Sequence, residues 1–446
     1  MMGTAAFSAF SRELSGLLSP LSGDASRIRG IKGLNDRVDA LTLLVRGVLS
    51  SSSLCYIDGE FHVFGGRHYV PLSKSSVLAV LANVLTEVGF SPTDIRKMAD
   101  MPLSVVSRRS FSRSRSMLCF TNAVVVVDDA LADIPVFPFA PERIVTEVLP
   151  YAYDPFASCP LWDAFLSQVL PDPSVRAVLQ EFFGMCYLDR RRLSVEKFLL
   201  LIGSGANGKS VIFEVMKAVF GEDNVSTFDS QQLIDEKMVP YVKGRRLNFA
   251  PDMRRSSSFD SALKALSSGQ DVTGRRIYGE AEKVKCPPLC FAMNETPFFR
   301  DTTDAFFRRL IPIRFEVTIP PQRQDRSLVR RIVASDLPGI FNWVVAGRNR
   351  LLASGGEFTP CPAIDGYLRD LRRRVEEMSA PVRRYLSSKG YAVYPSYDGQ
   401  PTVKVSQREI ASAIGDISPT AITRELGRYG IAPHRSREIY YRVYQL

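Results

Sequence analysis

No apolar run in this sequence reaches the roughly 18 residues that a membrane span requires. The strongest runs, residues 123–127 and 198–202, are only strand length. The N-terminus, MMGTAAFSAFSRELSG, has no charged stretch followed by a long apolar core, so no secretory signal is expected. Cysteine is sparse and scattered, at positions 55, 119, 159, 186, 286, 290 and 361. An odd, dispersed set reads as reduced thiols in a cytoplasmic protein and not as a disulfide framework. Only 3 His accompany them. The Cys286/Cys290 pair has neither a second pair nor a nearby His, which argues against a zinc site. No repeat with a period of 20–50 residues is visible, so a solenoid is not expected.

What is present describes a large globular chain. At 446 residues, length alone predicts roughly two to four domains. A hydrophobic fraction of 45% suffices for a real core and rules out a disordered chain or a collagen-like rod. The 57 Lys plus Arg exceed the 47 Asp plus Glu, for a net charge of +10 and a pI near 9.3. That excess favours a polyanionic partner, of which nucleic acid is the commonest.

Five stretches differ in pattern. Residues 1–115 read as a loosely attached arm, helical over 34–48, followed by a small α+β region. Its hairpin, residues 54–71, turns at Gly65-Gly66. A helix is expected over 76–90. The Ser/Arg segment SRRSFSRSRS, with Arg108, Arg109, Arg113 and Arg115, reads either as a solvated loop or as a phosphate-contacting segment. Residues 116–195 open with one strand over 118–128 and continue as helices broken at Pro171 and Pro173. Residues 196–320 alternate short apolar runs with helices, the pattern of a parallel α/β sheet. Residues 321–374 read as a helical connector. Residues 375–446 read as a winged helix-turn-helix: Ser406-Gln407-Arg408-Glu409 is a capping box, Ser418-Pro419 opens a second helix, and residues 439–444 form a strand. Arg424, Arg428, Arg435 and Arg437 are its candidate DNA contacts.

The sharpest motif is Gly203-Ser204-Gly205-Ala206-Asn207-Gly208-Lys209-Ser210, which satisfies G-x-x-x-x-G-K-[ST]. An apolar strand precedes it and a helical pattern follows, so phosphates would meet a helix N-terminus. Glycines let backbone N–H groups wrap a β-phosphate that a Cβ would obstruct. Lys209 would offer its charge to the β and γ oxygens and Ser210 its hydroxyl to Mg²⁺. Asp252, after the apolar run LNFAP, is the candidate acid for the metal or the attacking water. Arg275, Arg276, Tyr278, Lys283 and Lys285 lie on a basic segment that reads as a hairpin. It is suited to a single-stranded backbone with a base stacked on Tyr278. Asn294 ends a third apolar strand, where an amide can orient water or touch a γ-phosphate. Arg308 and Arg309 precede a further strand and could meet a neighbour's γ-phosphate.

In this order the motifs resemble the superfamily 3 helicases, in the branch of phage, phage-satellite, plasmid and poxvirus primase–helicases. The resemblance runs from about Phe120 to Pro320. It includes Tyr153-Asp-Pro-Phe, Leu170-Pro-Asp-Pro, GSGANGKS, SGQDVTGRRIYGE, FAMNETP and FFRRLIPIRF. It implies a P-loop AAA+-like ATPase core with a collar-like segment ahead of it and a winged helix behind. It further implies ATP and Mg²⁺ as cofactors, hexameric rings with nucleotide between subunits, and 3′→5′ movement on single-stranded or forked DNA. Lys209 and Ser210 would be the Walker A pair, Asn294 the sensor, and Arg309, with Arg308 next, the arginine finger. Asp252 stands where the family usually has Glu. A primase domain often precedes the family's helicase core. Residues 1–115 show no zinc-ribbon cysteines, so primer synthesis is not expected and a separate primase or host replication proteins would be partners. The expected setting is a bacterial cytoplasm, with no membrane association. The open alternatives are an origin-binding initiator whose ATPase governs assembly, or another DNA-translocating ATPase.

Overall fold

The computed structural model describes residues 2–98, 110–111, 114–128, 134–251, 259–275, 281–294, 303–379, 381–392, 402–415, 417–427, 431–435 and 439–445. Among them no helix is long and apolar enough to cross a membrane. All seven cysteines are buried thiols. Burial pushes those of Cys159, Cys186 and Cys286 up to about 12.

The N-terminal residues are not a loose arm. Helices Met2–Leu18, Ser22–Arg29 and Leu34–Ser51 bury Phe10, Leu14, Leu18, Leu41 and Val45. They pack on the strands Cys55–Ile57, Glu60–Phe64 and Tyr69–Leu72 and on the helix Lys74–Glu87, whose N-cap is Ser73. The expected turn at Gly65-Gly66 joins the second and third strands. A tighter turn precedes it, at Asp58-Gly59, with φ of 51° and 85°. Both central residues are left-handed there, as a two-residue hairpin demands. Of the Ser/Arg segment, Arg108, Arg109 and Arg113 lie outside the described residues.

The expected strand over 118–128 is instead a hairpin, Met117–Cys119 against Val124–Val126, closed by a turn that contains Asn122. Asn122 exchanges hydrogen bonds with the backbone of Tyr153. Helices Pro160–Val169 and Pro173–Met185 follow, and the Asp172 side chain caps the second.

The central unit is a five-stranded, all-parallel sheet. Its spatial order is Leu310–Arg314, Phe198–Ile202, Leu289–Met293, Leu247–Ala250, Val225–Ser226. The three central strands are buried at every position. Such unbroken apolar runs are what a parallel sheet covered on both faces requires.

Residues 321–374 do more than connect. Helix Leu337–Ala353 lies on Pro173–Met185 so closely that a Cβ on Gly184 would sit 2.2 Å from the Arg348 nitrogen. Asp336 accepts hydrogen bonds from the backbone of Leu161 and Trp162, at 2.8 and 3.0 Å, and so caps the helix Pro160–Val169. The segments before and after the sheet therefore form one helical layer beneath it.

The C-terminal unit has helices Pro381–Ser388, Gln407–Ile414 and Pro419–Gly427. Its strands Tyr391–Ala392, Thr402–Ser406 and His434–Arg435 all pair antiparallel with Ile439–Gln445. Ser406 caps the Gln407 helix through the Glu409 N–H. Val382, Leu386, Ile410, Ile422, Leu426 and Tyr441 make a separate small core.

Candidate nucleotide site

The strand Phe198–Ile202 runs into the loop Gly203–Gly208 and the helix Lys209–Phe220. Three loop residues have positive φ: Gly205 at 108°, Ala206 at 49° and Gly208 at 89°. Successive residues of this kind turn their N–H groups inward to form an anion-binding concavity. Ala206 carries a Cβ in the left-handed region, a strained state that a ligand-binding loop can hold when its surroundings fix it. One such restraint is the Ile319 N–H, which donates to the Ala206 carbonyl at 2.8 Å. The glycines are also sterically required. A Cβ on Gly203 would lie 2.0 Å from Asn207 Nδ2, and one on Gly208 would lie 2.9 Å from Phe165 Cζ.

Lys209 folds onto its own loop. Its Nζ donates to the Gly203 carbonyl at 2.6 Å and to Asn207 Oδ1 at 3.0 Å. The residue is 8% exposed, and burial lowers its pKa. Asn207 Nδ2 is buried with no hydrogen-bond partner among the described residues. One cation held by two loop oxygens beside one unpaired donor is a site whose polar groups a phosphate can satisfy.

A cleft of about 580 Å³ opens over this loop. Ser210 and Asn294 line it, as does Pro251 at the end of Leu247–Ala250. Asp252 follows Pro251 directly but lies outside the described residues. Phe165 and Phe213 contribute apolar lining, and Arg323 and Arg326 line the cleft as well. Those two arginines escaped the sequence reading, which closed the core at Pro320-Pro321. The available signal was the pair of cations in QRQDRS, just ahead of the helix Leu328–Ser335.

The arginine pair sits at the opposite edge of the sheet. The Arg309 carbonyl accepts from the Phe198 N–H, at the start of the P-loop strand. Five residues at about 3.3 Å each put it about 16 Å from the loop of its own subunit. The Arg309 side chain is 10% exposed and bonds Glu196 at 2.6 Å. The Arg308 side chain is 65% exposed and only 3.4 Å from the same carboxylate. The sequence spacing favoured Arg309; of the two, Arg308 is the more exposed.

The basic segment is a hairpin, Asp271–Arg275 against Ala281–Lys285. Arg275 and Lys283 are exposed on it. Lys285 faces Asp189 at 3.4 Å. Arg276 and Tyr278 belong to residues 276–280, outside the description. In the C-terminal unit Arg424 is exposed, Arg435 lies in a short strand, and Arg428 and Arg437 fall outside the described residues.

Residues 93–171 match the D5 N terminal like family, and residues 201–309 match a family of unknown function (DUF5906). A "putative helicase" of Acanthamoeba polyphaga mimivirus is 27% identical over 169 residues, 34% of this chain and 17% of that protein. A "putative primase" of African swine fever virus is 28% identical over 177 residues, 37% of this chain and 18% of that protein. The match thus spans less than a fifth of either relative's length. The apo structure of the NrS-1 C terminal region shares the fold, with a TM-score of 0.54 at 12% identity, covering 91% of this chain and 99% of that one. The viral relatives thus liken about a third of this chain to proteins named helicase and primase.

Proposed function

We propose that the protein is an ATP-driven replicative DNA helicase of a mobile genetic element, working as a hexameric ring on single-stranded DNA. The observation that carries this reading is the loop Gly203–Gly208, with positive φ at Gly205, Ala206 and Gly208, and Lys209 resting on its oxygens at the end of a fully buried parallel strand. The strand order supports an AAA+-like core, since Leu289–Met293 lies between the P-loop strand and the strand that leads to Asp252.

In this reading the loop N–H groups and Lys209 hold the triphosphate. Ser210 and Asp252 would hold Mg²⁺, which supplies charge neutralisation between the β- and γ-phosphates. Asn294 orients the attacking water. Arg308 of one subunit reaches the γ-phosphate of the next and stabilises charge as the bond breaks. The hairpin carrying Arg275, Lys283 and Lys285 follows the DNA backbone. The names of the viral relatives, helicase and primase, favour DNA as the polymer.

A second reading rests on the C-terminal unit. Two helices joined by a short turn, with antiparallel strands after them, suit a winged helix that grips duplex origin DNA. An initiator whose ATPase governs assembly would use that unit first. The test is ATP turnover by wild type and by Lys209→Ala, with and without single-stranded DNA. The reading expects DNA-stimulated hydrolysis that the variant loses. Equal turnover by the variant would end it.

A further inference from the structure

A second polar cavity, of about 320 Å³, lies at the other edge of the parallel sheet. Arg246 and Pro288 line it, and they directly precede the strands Leu247–Ala250 and Leu289–Met293. At about 3.3 Å per residue those strands hold the cavity about 15 Å from the nucleotide loop. Its lining includes five cations, Arg115, Arg190, Arg192, Arg246 and Lys285, against two carboxylates, Asp128 and Asp189.

The cations differ in what already holds them. Arg246 is 2% exposed, paired with buried Glu147 and stacked on the Tyr187 ring at 4.8 Å. Arg190 is 3% exposed and donates to the carbonyls of Ser267 at 3.1 Å and Cys286 at 2.7 Å. These two are scaffold. Among the described residues the Arg115 guanidinium is held by a single long contact, 3.3 Å from the Arg245 carbonyl. Arg192 is exposed and forms no ion pair among the described residues. Burial, then the nearby Arg246, pushes the Arg115 guanidinium down to about 10. Like charges crowded against a partly desolvated cation raise its energy, and an anion in the cavity would relieve it. The hydroxyl of Tyr187, a lining residue, is buried with no hydrogen-bond partner among the described residues.

We infer that this cavity is an oxyanion site for one phosphate group, with Arg115 and Arg192 as the donors and Arg246 and Arg190 as the frame that aims them. Lys285 ties its wall to the root of the basic hairpin, so a strand following the hairpin can seat a phosphodiester there. A free phosphate offers the same chemistry. The phosphodiester source rests on the helicase reading; the free-phosphate source does not.

The experiment compares wild type, Arg115→Gln/Arg192→Gln and the single variant Arg192→Gln. The single variant changes an exposed side chain and keeps the test open should the double variant misfold. Binding of a labelled oligothymidylate is followed across a salt series. Thermal stabilisation by orthophosphate is measured in the same proteins on a Lys209→Ala background, which disables the nucleotide loop. For the phosphodiester source, the double variant binds the strand about tenfold more weakly, and its log–log salt slope falls by about 0.7, one phosphate contact. For the free source, strand binding is unchanged, but orthophosphate stabilises the Lys209→Ala protein and not its double-variant derivative. Unchanged strand binding together with unchanged orthophosphate stabilisation overturns the site. If wild type binds no single strand at all, the helicase reading fails, and the orthophosphate arm still decides the cavity.

Discussion

The two edges of the parallel sheet treat positive charge in opposite ways. At the loop edge, Lys209 is held, among the described residues, by a backbone carbonyl and an amide oxygen, groups that a phosphate can displace. At the far edge, Arg309 and Arg246 are bound to carboxylates and Arg190 to carbonyls. Burial alone does not separate a working cation from a structural one, since Lys209 and Arg309 are each 8% exposed. The partner does. Glu196 neutralises Arg309, whereas Lys209 rests, among the described residues, on neutral oxygens that a phosphate can displace.

The largest expected effect is at the far edge. Arg246→Ala leaves Glu147 buried without its partner and should destabilise the fold by about 3–5 kcal/mol. Chemical denaturation measures this, and a loss under 1 kcal/mol would mean that the far edge is not scaffold. Arg308→Ala comes next. It should keep nucleotide binding, lower turnover by about 10³-fold, and regain activity when mixed with Lys209→Ala subunits. Wild-type turnover by Arg308→Ala alone would return the role to the buried Arg309.

Much of the loop edge was legible in the sequence, because a P-loop needs fixed residues at fixed spacing within a short stretch. The far edge was not. The Glu196–Arg309 and Glu147–Arg246 pairs join positions about a hundred residues apart, and nothing local announces them. The N-terminal helices were read as an arm because their apolar residues find their partners in the hairpin and the helix that follow it. The hairpin within 118–128 was missed because Val124–Val126 continues the apolar run of Met117–Cys119 across the short turn that contains Asn122. The wall formed by residues 319–328 lies outside the P-loop spacing that drew attention.

Smaller effects sharpen the contrast. Gly208→Ala places a Cβ at a φ of 89°, against Phe165 and Val169. About 1–3 kcal/mol of stability should be lost, together with nucleotide binding, in paired melting and binding assays. The smallest effect lies away from both edges. Burial, aided by Arg67, holds the His68 imidazole below its usual pKa. The unfolded chain therefore takes up the proton first, and stability should fall as pH drops below about 6.5. His68→Gln should flatten that part of the melting-temperature profile, and an unchanged profile would show that His68 does not set it.

Strand displacement from a forked duplex tests the central claim most directly. The account predicts that wild type with ATP and Mg²⁺ releases the labelled strand and that Lys209→Ala releases none. Steady ATP hydrolysis on single-stranded DNA with no displacement at either polarity would contradict it.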